Sequence, residues 1–453
     1  MAGVLQDSLQ RVKDTLLDEL RDWLRIPSIS SGGGDPADLR RAAEWACERI
    51  VAAGGSGEVL DGFGNPLCVG ELRSSRPGAP TVLIYGHYDV QSPNPLELWT
   101  SDPFDPVVRD GRLYARGASD DKGNFLPLLH VACELARAGE LPVHVRVVLE
   151  GEEEVGGSNV LRFVAEDERG ADCAIVFDGG MVDAARPALH IAVRGVVMAH
   201  LRVRTGTRDL HSGVYGGVAL NAAHALARML AEVLPGRDGR LREELRAGLR
   251  APAPDEVASW AGLPAGEEVV ADAGATEIAP GAAADLYART WADAALDING
   301  IESGDAQQRR TIIPCTASAR LSVRIALGQD GSEIAAALER ILRDAAPAGA
   351  EVELDVDPGE PAGFDAADPV LALAREAIGR AAGTPPLFTR SGGSIPILGA
   401  FAKRGIPTVL SGFALDSDGI HGPDESYRLE ALELGERAAR ELYAAFGTLP
   451  PKP

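Results

Sequence analysis

The chain has 453 residues, of which 45% are hydrophobic and 25% are charged, a composition typical of a globular protein with a large core and more than one domain. Asp and Glu number 67 against 44 Lys and Arg, so the formal net charge is −23. This charge repels phosphate backbones and anionic membrane surfaces and argues against nucleic acid as a partner. Five scattered cysteines without a CxxC pair argue against a disulfide framework and against a thiolate metal site.

The N-terminal segment is predicted to be helical. Residues 4–25 combine charged and apolar residues at helical spacing, which predicts an amphipathic helix and lacks the uninterrupted apolar core of a signal peptide. No apolar run approaches the roughly 20 residues that span a bilayer. We therefore expect a cytoplasmic protein that does not act in a membrane.

Strands and helices alternate in the next part of the chain. The predicted elements are a helix over 36–53, a strand over 81–86, a helix over about 123–138, a strand over 143–149, a helix over about 158–167 and a strand over 173–177. This alternation predicts an α/β domain with a largely parallel twisted sheet flanked by helices. The same pattern resumes after 384, with a short strand at 407–410 and a last helix over about 427–446.

The pattern between these two parts is different. The long alternating runs at 188–205 and 317–327 predict antiparallel strands, and "EVELDV" (351–356) predicts another. Helices are predicted over 219–233 and 331–345. This order of elements predicts an α+β domain with helices on one face of an antiparallel sheet.

Histidines and carboxylates recur at predicted strand ends and in loops before helices. They are His87 and Asp89 in "YGHYDVQ", Asp120 and Asp121 in "ARGASDDKG", Glu153 and Glu154 in "LEGEEEVGG", Asp178 in "IVFDGG" and His421 in "SDGIHGPDE". Each has an ordinary explanation, because a lone His is most often structural, adjacent aspartates cap helices and an acidic run is often a solvated turn. Taken together, they supply imidazole and carboxylate without thiolate at strand ends. This set suits zinc, manganese or cobalt and is large enough for a two-metal site.

The motifs themselves resemble a known family. "GHYDV", "RGASDDKG", "EGEEEVGG", "VFDGG", "DLHSGVYGG" and "GIHGPDE" occur in order from about residue 80 to 425. They resemble those of the co-catalytic di-zinc metallopeptidases that include carnosinase, aminoacylase-1 and bacterial glutamate carboxypeptidase. "DLHSGVYGG", "RRTIIP" and "RSGGSIPIL" are most similar to the carnosinase-like dipeptidase branch. The resemblance implies two divalent metal ions per subunit, with zinc expected and manganese or cobalt as alternatives.

The resemblance also implies roles for the residues of these motifs. His87 and Asp178 would bind one metal ion, and Glu154 and His421 would bind the other. Asp120 would bridge the two ions, and the peptide bond between Asp120 and Asp121 is expected to be cis. Asp89 would hold the His87 imidazole, and Glu153 would act as the general base on a water that bridges the metals. We further expect Glu152 to be solvated and Glu150 to support the metal ligands.

Substrate contacts are implied outside these motifs. His211 is by itself a surface-loop histidine, but the resemblance implies that it binds the substrate carbonyl oxygen in the neighbouring subunit of a homodimer. Arg324 would bind the C-terminal carboxylate of the substrate. Thr311, Gly393 and Ser394 would line the same pocket.

The region of different pattern separates His421 from the other expected ligands. One metal site therefore requires a discontinuous catalytic domain formed by 1–190 and 384–453. The intervening 191–383 would form a lid and dimerisation domain, which closes over the metals.

The expected function is metal-dependent hydrolysis of dipeptides or short peptides with a free C-terminal carboxylate. The same di-metal core would also serve an N-acyl-amino-acid deacylase of the acetylornithine or succinyl-diaminopimelate type. A glycosidase built on Glu153 and Asp178 would leave His87, His421 and Asp120 without a role. A metal-loaded binding protein would not need Glu153 as a free base.

Overall fold

The computed structural model describes residues 15–305, 307 and 310–450. Of the helix expected over 4–25, residues 15–24 are helical, while 4–14 lie outside the described part. Within the described residues, none of the helices is both long and apolar enough to cross a membrane.

The described elements are named here in chain order. The helices are α1 (15–24), α2 (Pro36–Ala52), α3 (Lys122–Ala138), α4 (Ser158–Glu166), α5 (Ser212–Tyr215), α6 (Ala222–Ala231), α7 (Pro254–Ser259), α8 (Gly266–Asp272), α9 (Leu286–Trp291), α10 (Gly331–Asp344), α11 (Pro369–Ala382), α12 (Pro396–Lys403) and α13 (Leu429–Phe446). The strands are β1 (Ser56–Leu60), β2 (Leu67–Leu72), β3 (Thr81–His87), β4 (Val107–Arg109), β5 (Arg112–Tyr114), β6 (His144–Glu150), β7 (Cys173–Val176), β8 (Ala188–Val193), β9 (Gly195–Arg204), β10 (Leu210–His211), β11 (Ala295–Glu302), β12 (Ile312–Ile313), β13 (Thr316–Ile325), β14 (Glu351–Pro358), β15 (Ala362–Gly363), β16 (Leu387–Ser391), β17 (Thr408–Leu410) and β18 (Ser426–Arg428).

These elements form two compact units. The first unit contains the described residues through Ile191, the segment Phe364–Thr389 and those from Pro396 onward, and the second contains Ala192–Gly363 and Arg390–Ile395. Helix α11 packs against α13 in the first unit, although the expected boundary at 383/384 placed it in the inserted segment. Its buried residues, among them Leu371 and Ile378, join the core of that unit, which explains the difference.

The first unit is built on a mostly parallel central sheet. Its strands run in the order β1-β2-β6-β3-β7-β17-β8, with β16 also paired to β8. The inner strands β6, β3, β7 and β17 are parallel, and the flanking pairs are antiparallel. Strand β3 is central, and Val82–Tyr85 are buried as a continuous apolar run, because helices cover both faces of such a sheet. The carboxyl ends of β6, β3 and β7 therefore lie side by side at one edge.

The second unit is built on an antiparallel sheet in the order β11-β13-β9-β14. Buried and accessible residues alternate along β9, so that Val197, Leu201 and Val203 face a core while their neighbours face outward. Helices α6 and α10 supply the other side of this core, with Leu226 and Leu338 among its residues. The expected fold class, a parallel α/β domain plus an α+β domain with an antiparallel sheet, is confirmed.

Several elements were not predicted. The hairpin β1–β2 extends the central sheet. Strand β18, directly before α13, joins β5 and β4 in a separate three-stranded sheet with the order β18-β5-β4. The strands of this small sheet have three residues each, which is too short for an alternating pattern to be recognised.

Candidate metal centre

His87 ends β3 and is completely buried. Its Nδ1 lies 3.0 Å from the backbone oxygen of Asp89 and 3.4 Å from Asp89 Oδ1, and its Nε2 lies 3.0 Å from Asp120 Oδ1. The Asp89 carboxylate accepts a hydrogen bond of 2.6 Å from Ser30 Oγ. The ring is therefore held from one side and presents Nε2 to Asp120.

Asp120 lies in the loop before α3 and is shared by two histidines. Its Oδ1 is 3.0 Å from His87 Nε2, and its Oδ2 is 3.0 Å from His421 Nε2. The peptide bond between Asp120 and Asp121 is cis, as expected. Asp121 precedes α3, but its side chain makes no capping hydrogen bond, so helix capping does not account for this acidic pair.

Two groups of side chains offer ligand atoms that lie within 4.8 Å of one another. One group is His87, Asp120 and Asp178, and the other is Asp120, Glu154 and His421. Asp178 follows β7, next to β3, so the parallel sheet itself brings the first group together. The structure thus gathers the five expected ligands, and Asp120 is common to both groups.

Glu153 and Glu154 form one helical turn after the end of β6. Their backbone N–H groups donate to the two oxygens of Asp89, at 3.3 and 3.2 Å. Glu154 Oε2 lies 3.0 Å from His421 Nε2 and accepts a hydrogen bond of 3.0 Å from Gln91. Burial raises the pKa of Glu153 to about 7, opposed by His87 and reinforced by Asp120 and Glu154. A carboxyl group of this kind suits proton transfer near neutral pH.

The two remaining glutamates of the acidic run have different surroundings. Glu152, which was expected to be solvated, is half-buried, and its carboxylate accepts hydrogen bonds from Asn65 N at 2.9 Å and from Asn159 Nδ2 at 2.7 Å. Glu150 is buried and accepts a hydrogen bond from the Tyr85 hydroxyl. Glu150 lies opposite His87 in the register of the parallel strands β6 and β3. Burial raises the pKa of Glu150 to about 8.

The residues present fit a divalent metal. Burial, together with the neighbouring carboxylates, raises the pKa of Asp121 and of Asp178 above their ordinary value, as expected where like charges are crowded without a cation. The donor set of two imidazoles and three carboxylates suits zinc, manganese and cobalt. Carboxylate crowding and donor chemistry therefore point to the same cation site.

The expected substrate-binding residues lie in the second unit, in two places. His211 is exposed and pairs with Ile312 in the short ladder of β10 and β12, and the backbone oxygen of Thr311 accepts a hydrogen bond of 3.0 Å from Ser212 N. Arg324, on β13, donates a hydrogen bond of 2.9 Å to Ser394 Oγ. Gly393, beside Ser394, accepts a backbone hydrogen bond of 3.1 Å from Arg194.

Sequence reasoning missed two buried residues beside the ligands. Arg116 and Glu425 form an ion pair in which both side chains are about 1% exposed. Each lies within a quoted motif, "ARGASDDKG" and "GIHGPDE", four residues from an expected ligand. That adjacency was the available signal, but their pairing is a tertiary contact.

Comparisons with known proteins agree with this geometry. The model of peptidase family M20/M25/M40 matches residues 83–445. The chain is 32% identical over 386 residues to the cysteinylglycine-S-conjugate dipeptidase of Corynebacterium striatum, covering 82% of each chain. It is 27% identical over 448 residues to the Cys-Gly metallodipeptidase DUG1 of Saccharomyces cerevisiae, covering 92% of each. The M20 family metallo-carboxypeptidase Sso-CP2 of Sulfolobus solfataricus matches the fold with a TM-score of 0.87 at 25% identity, covering 96% of this chain and 99% of that one. The expected family is confirmed, and the chain belongs to peptidase family M20/M25/M40.

Proposed function

We propose that this chain is a metal-dependent dipeptidase that hydrolyses the amide bond of dipeptides or short peptides with a free C-terminal carboxylate. The observation that carries the proposal is that two candidate ligand groups share Asp120. Glu153 directly precedes Glu154, a member of the second group. The two relatives named as dipeptidases support the same substrate class.

The proposed ligand assignment follows the two groups. His87 and Asp178 would hold one ion, Glu154 and His421 would hold the other, and Asp120 belongs to both groups. Asp89 orients the His87 ring from the Nδ1 side. We propose zinc as the native metal, and equilibrium dialysis of the purified protein with zinc, manganese and cobalt tests this choice.

The chain's own residues then account for the proton transfers. When bound, divalent ions at these ligands would polarise the scissile carbonyl and lower the pKa of water. Glu153 takes a proton from the attacking water and returns it to the leaving amine. Burial favours proton uptake by this carboxyl group, because it raises the pKa of Glu153 above its ordinary value.

Residues of the second unit would recognise the substrate. The Arg324 guanidinium is suited to a bidentate contact with the C-terminal carboxylate, and its bond to Ser394 fixes its direction. We propose that Gly393 lines the same pocket and that Thr311, which lies beside His211, acts together with that histidine. The first unit then carries the chemistry, while the second serves substrate binding and dimerisation.

The first experiment is hydrolysis of a dipeptide panel by metal-reconstituted protein beside Glu153→Gln. We expect the wild type to cleave dipeptides and the variant to lose about 10²–10⁴-fold in kcat while it still binds metal, because the amide cannot accept the proton. C-terminally amidated dipeptides should be poor substrates because the carboxylate for Arg324 is missing. Retained turnover in Glu153→Gln would contradict the assigned base.

The panel also separates the alternative substrate class. N-acetyl and N-succinyl amino acids carry the same scissile amide without the free amino group of a dipeptide. Cleavage of these compounds alone would leave the metal ligands in place and replace the dipeptidase assignment by a deacylase.

We further propose a cytoplasmic homodimer in which His211 serves the active site of the neighbouring subunit.

Subunit mixing tests this arrangement. Glu153→Gln and His211→Ala are each expected to be inactive, but a mixed dimer contains one site with intact Glu153 and, from the other subunit, intact His211. Mixing should therefore restore activity, whereas a His211 that served its own subunit would leave the mixture inactive. Analytical ultracentrifugation tests the dimer itself.

A further inference from the structure

The two candidate ligand groups are held in different ways. His87 ends β3 and Asp178 follows β7, and these two strands are parallel neighbours in the central sheet. Asp120 and His421 lie in two loops that are 301 residues apart in the sequence. The sheet fixes two ligands of the first group, whereas in the second group only Glu154 follows a strand of the sheet, and both Asp120 and His421 depend on contacts between loops.

Glu425 holds the loop that carries Asp120. Its Oε1 accepts hydrogen bonds from the backbone N–H groups of Ser119 at 2.9 Å and Asp120 at 3.1 Å. Its Oε2 accepts one from Gly117 N at 3.0 Å and one from Arg116 Nη1 at 2.7 Å. The carboxylate is completely buried, and three amides and a guanidinium surround it.

Arg116 extends this contact to the other loop. Its Nη2 donates to the backbone oxygens of His421 at 3.2 Å and Gly422 at 3.1 Å. His421 has a φ of +63°, in the left-handed region that is unfavourable for residues with a side chain. Such a conformation persists where its surroundings fix it. The guanidinium therefore links the backbone of His421 to the carboxylate that holds Asp120.

We propose that the Arg116–Glu425 pair is a positioning device for the metal ion held by Asp120, Glu154 and His421. The inference rests on the proposed ligand set. The pair fixes the two loops relative to each other, so that the imidazole and the shared carboxylate meet at one place. Its loss weakens this loop-held ion more than the ion held by His87, Asp120 and Asp178, whose other ligands follow strands of the sheet.

The test is a titration of metal-free protein with Zn²⁺ against a competing chelator. The wild-type titration comes first, and a failure to bind two ions there contradicts the proposed ligands rather than the positioning role. In Glu425→Gln, we expect the binding constant of the loop-held ion to fall by about 10–100-fold, as is usual for residues that orient metal ligands. The other constant should change much less.

A second variant covers the case in which Glu425→Gln does not fold. Arg116→Lys keeps a positive charge opposite Glu425 but lacks the planar fork through which Nη1 contacts Glu425 while Nη2 contacts the carbonyls of His421 and Gly422. We expect the same selective loss, smaller in size. Equal weakening of both ions, or unchanged binding in a folded variant, would overturn the proposal.

A double variant identifies which ion is affected. His421→Gly removes one ligand of the loop-held ion and tolerates the positive φ. Adding Glu425→Gln to this background should weaken the remaining ion only slightly, because Asp120 is its one ligand in the loops that Glu425 holds. A loss of the remaining ion as large as the loss of the loop-held ion in Glu425→Gln alone would show that the pair does not act selectively.

A matched control separates positioning from stability. Arg146 and Asp167 form another largely buried ion pair of the first unit, 4% and 12% exposed. Asp167→Asn should lower the melting temperature of the metal-free protein and leave the ratio of the two zinc constants unchanged. If it changes the ratio as much as Glu425→Gln does, the ratio reports general stability and the proposal fails.

Discussion

The consecutive glutamates Glu152, Glu153 and Glu154 each have different neighbours in the structure. Glu154 lies against His421 and Gln91, which suits a metal ligand. Burial raises the pKa of Glu153 to about 7, which suits a base. Glu152 bonds to Asn65 and Asn159 and so ties the turn to another loop. The like charges of this run are compatible because their carboxylates have separate surroundings, with Glu150 bonded to Tyr85, Glu152 to Asn65 and Asn159, and Glu154 to Gln91.

His190 gives a pH prediction at the same scale. Burial lowers its pKa to about 4, while in the unfolded chain a histidine titrates near 6.5. As pH falls from about 6.5 to 4, the unfolded state takes up a proton that the folded state does not, so stability is lost across this window. Above it, both states are neutral and the contribution is constant.

The measurement is the free energy of unfolding of metal-free protein in urea at pH 7 and pH 5. His190→Gln should be less stable than the wild type at pH 7, because the contact with Thr389 at 2.9 Å is disturbed, yet lose less on going to pH 5. An unchanged difference between the two pH values would show that His190 is not the group responsible.

Among the elements, β3 positions the site most directly, since it ends in His87 and lies between β6 and β7. Its close packing against α3 explains Gly86. A Cβ at this position would lie 2.4 Å from Phe125 Cδ2 and 2.7 Å from Asp121 Oδ2. The glycine thus allows the helix that follows Asp120 to approach the strand that ends in His87.

Gly86→Ala should therefore destabilise the protein by about 1–3 kcal/mol through overpacking. Gly399 in α12 is the matched control, because no atom lies within 4 Å of a Cβ built there. Gly399→Ala should be neutral or stabilise by up to about 1 kcal/mol. Urea denaturation measures both, and equal effects would show that strand–helix contact is not what requires Gly86.

At the scale of the whole molecule, each of the two units has its own sheet and its own core. All five candidate ligands belong to the first unit. Metal binding should therefore stabilise the loops of that unit and have little effect on the antiparallel sheet of the second.

Hydrogen exchange with and without a chelator tests this separation. At a free metal concentration about 100 times the dissociation constant, binding adds about 2.7 kcal/mol, so the loops around Asp120, Glu154 and His421 should exchange up to about 100-fold faster after metal removal. Strands β9 and β13 should be unaffected. Equal acceleration in β13 and in the ligand loops would contradict the separation.

Much of this architecture could be predicted from local patterns. The apolar runs that became β3, β6 and β7 and the alternation that became β9 report burial within single elements, which the sequence encodes directly. The expected ligands could be named because each stands in a short motif that resembles a motif of the family. Glu152 shows the limit of this reasoning, since its partner Asn65 is 87 residues away and no local pattern announces it.

By itself, then, the sequence determined the alternation of elements, the fold class and the kinds of side chain gathered for a metal. Only the tertiary structure decided where α11 belongs and that Arg116 meets Glu425 across 309 residues. Local periodicity records whether a residue faces a core, but a hydrogen bond between distant loops depends on how separate elements pack. Such contacts became visible only when the sheet had brought its strand ends and the flanking loops together.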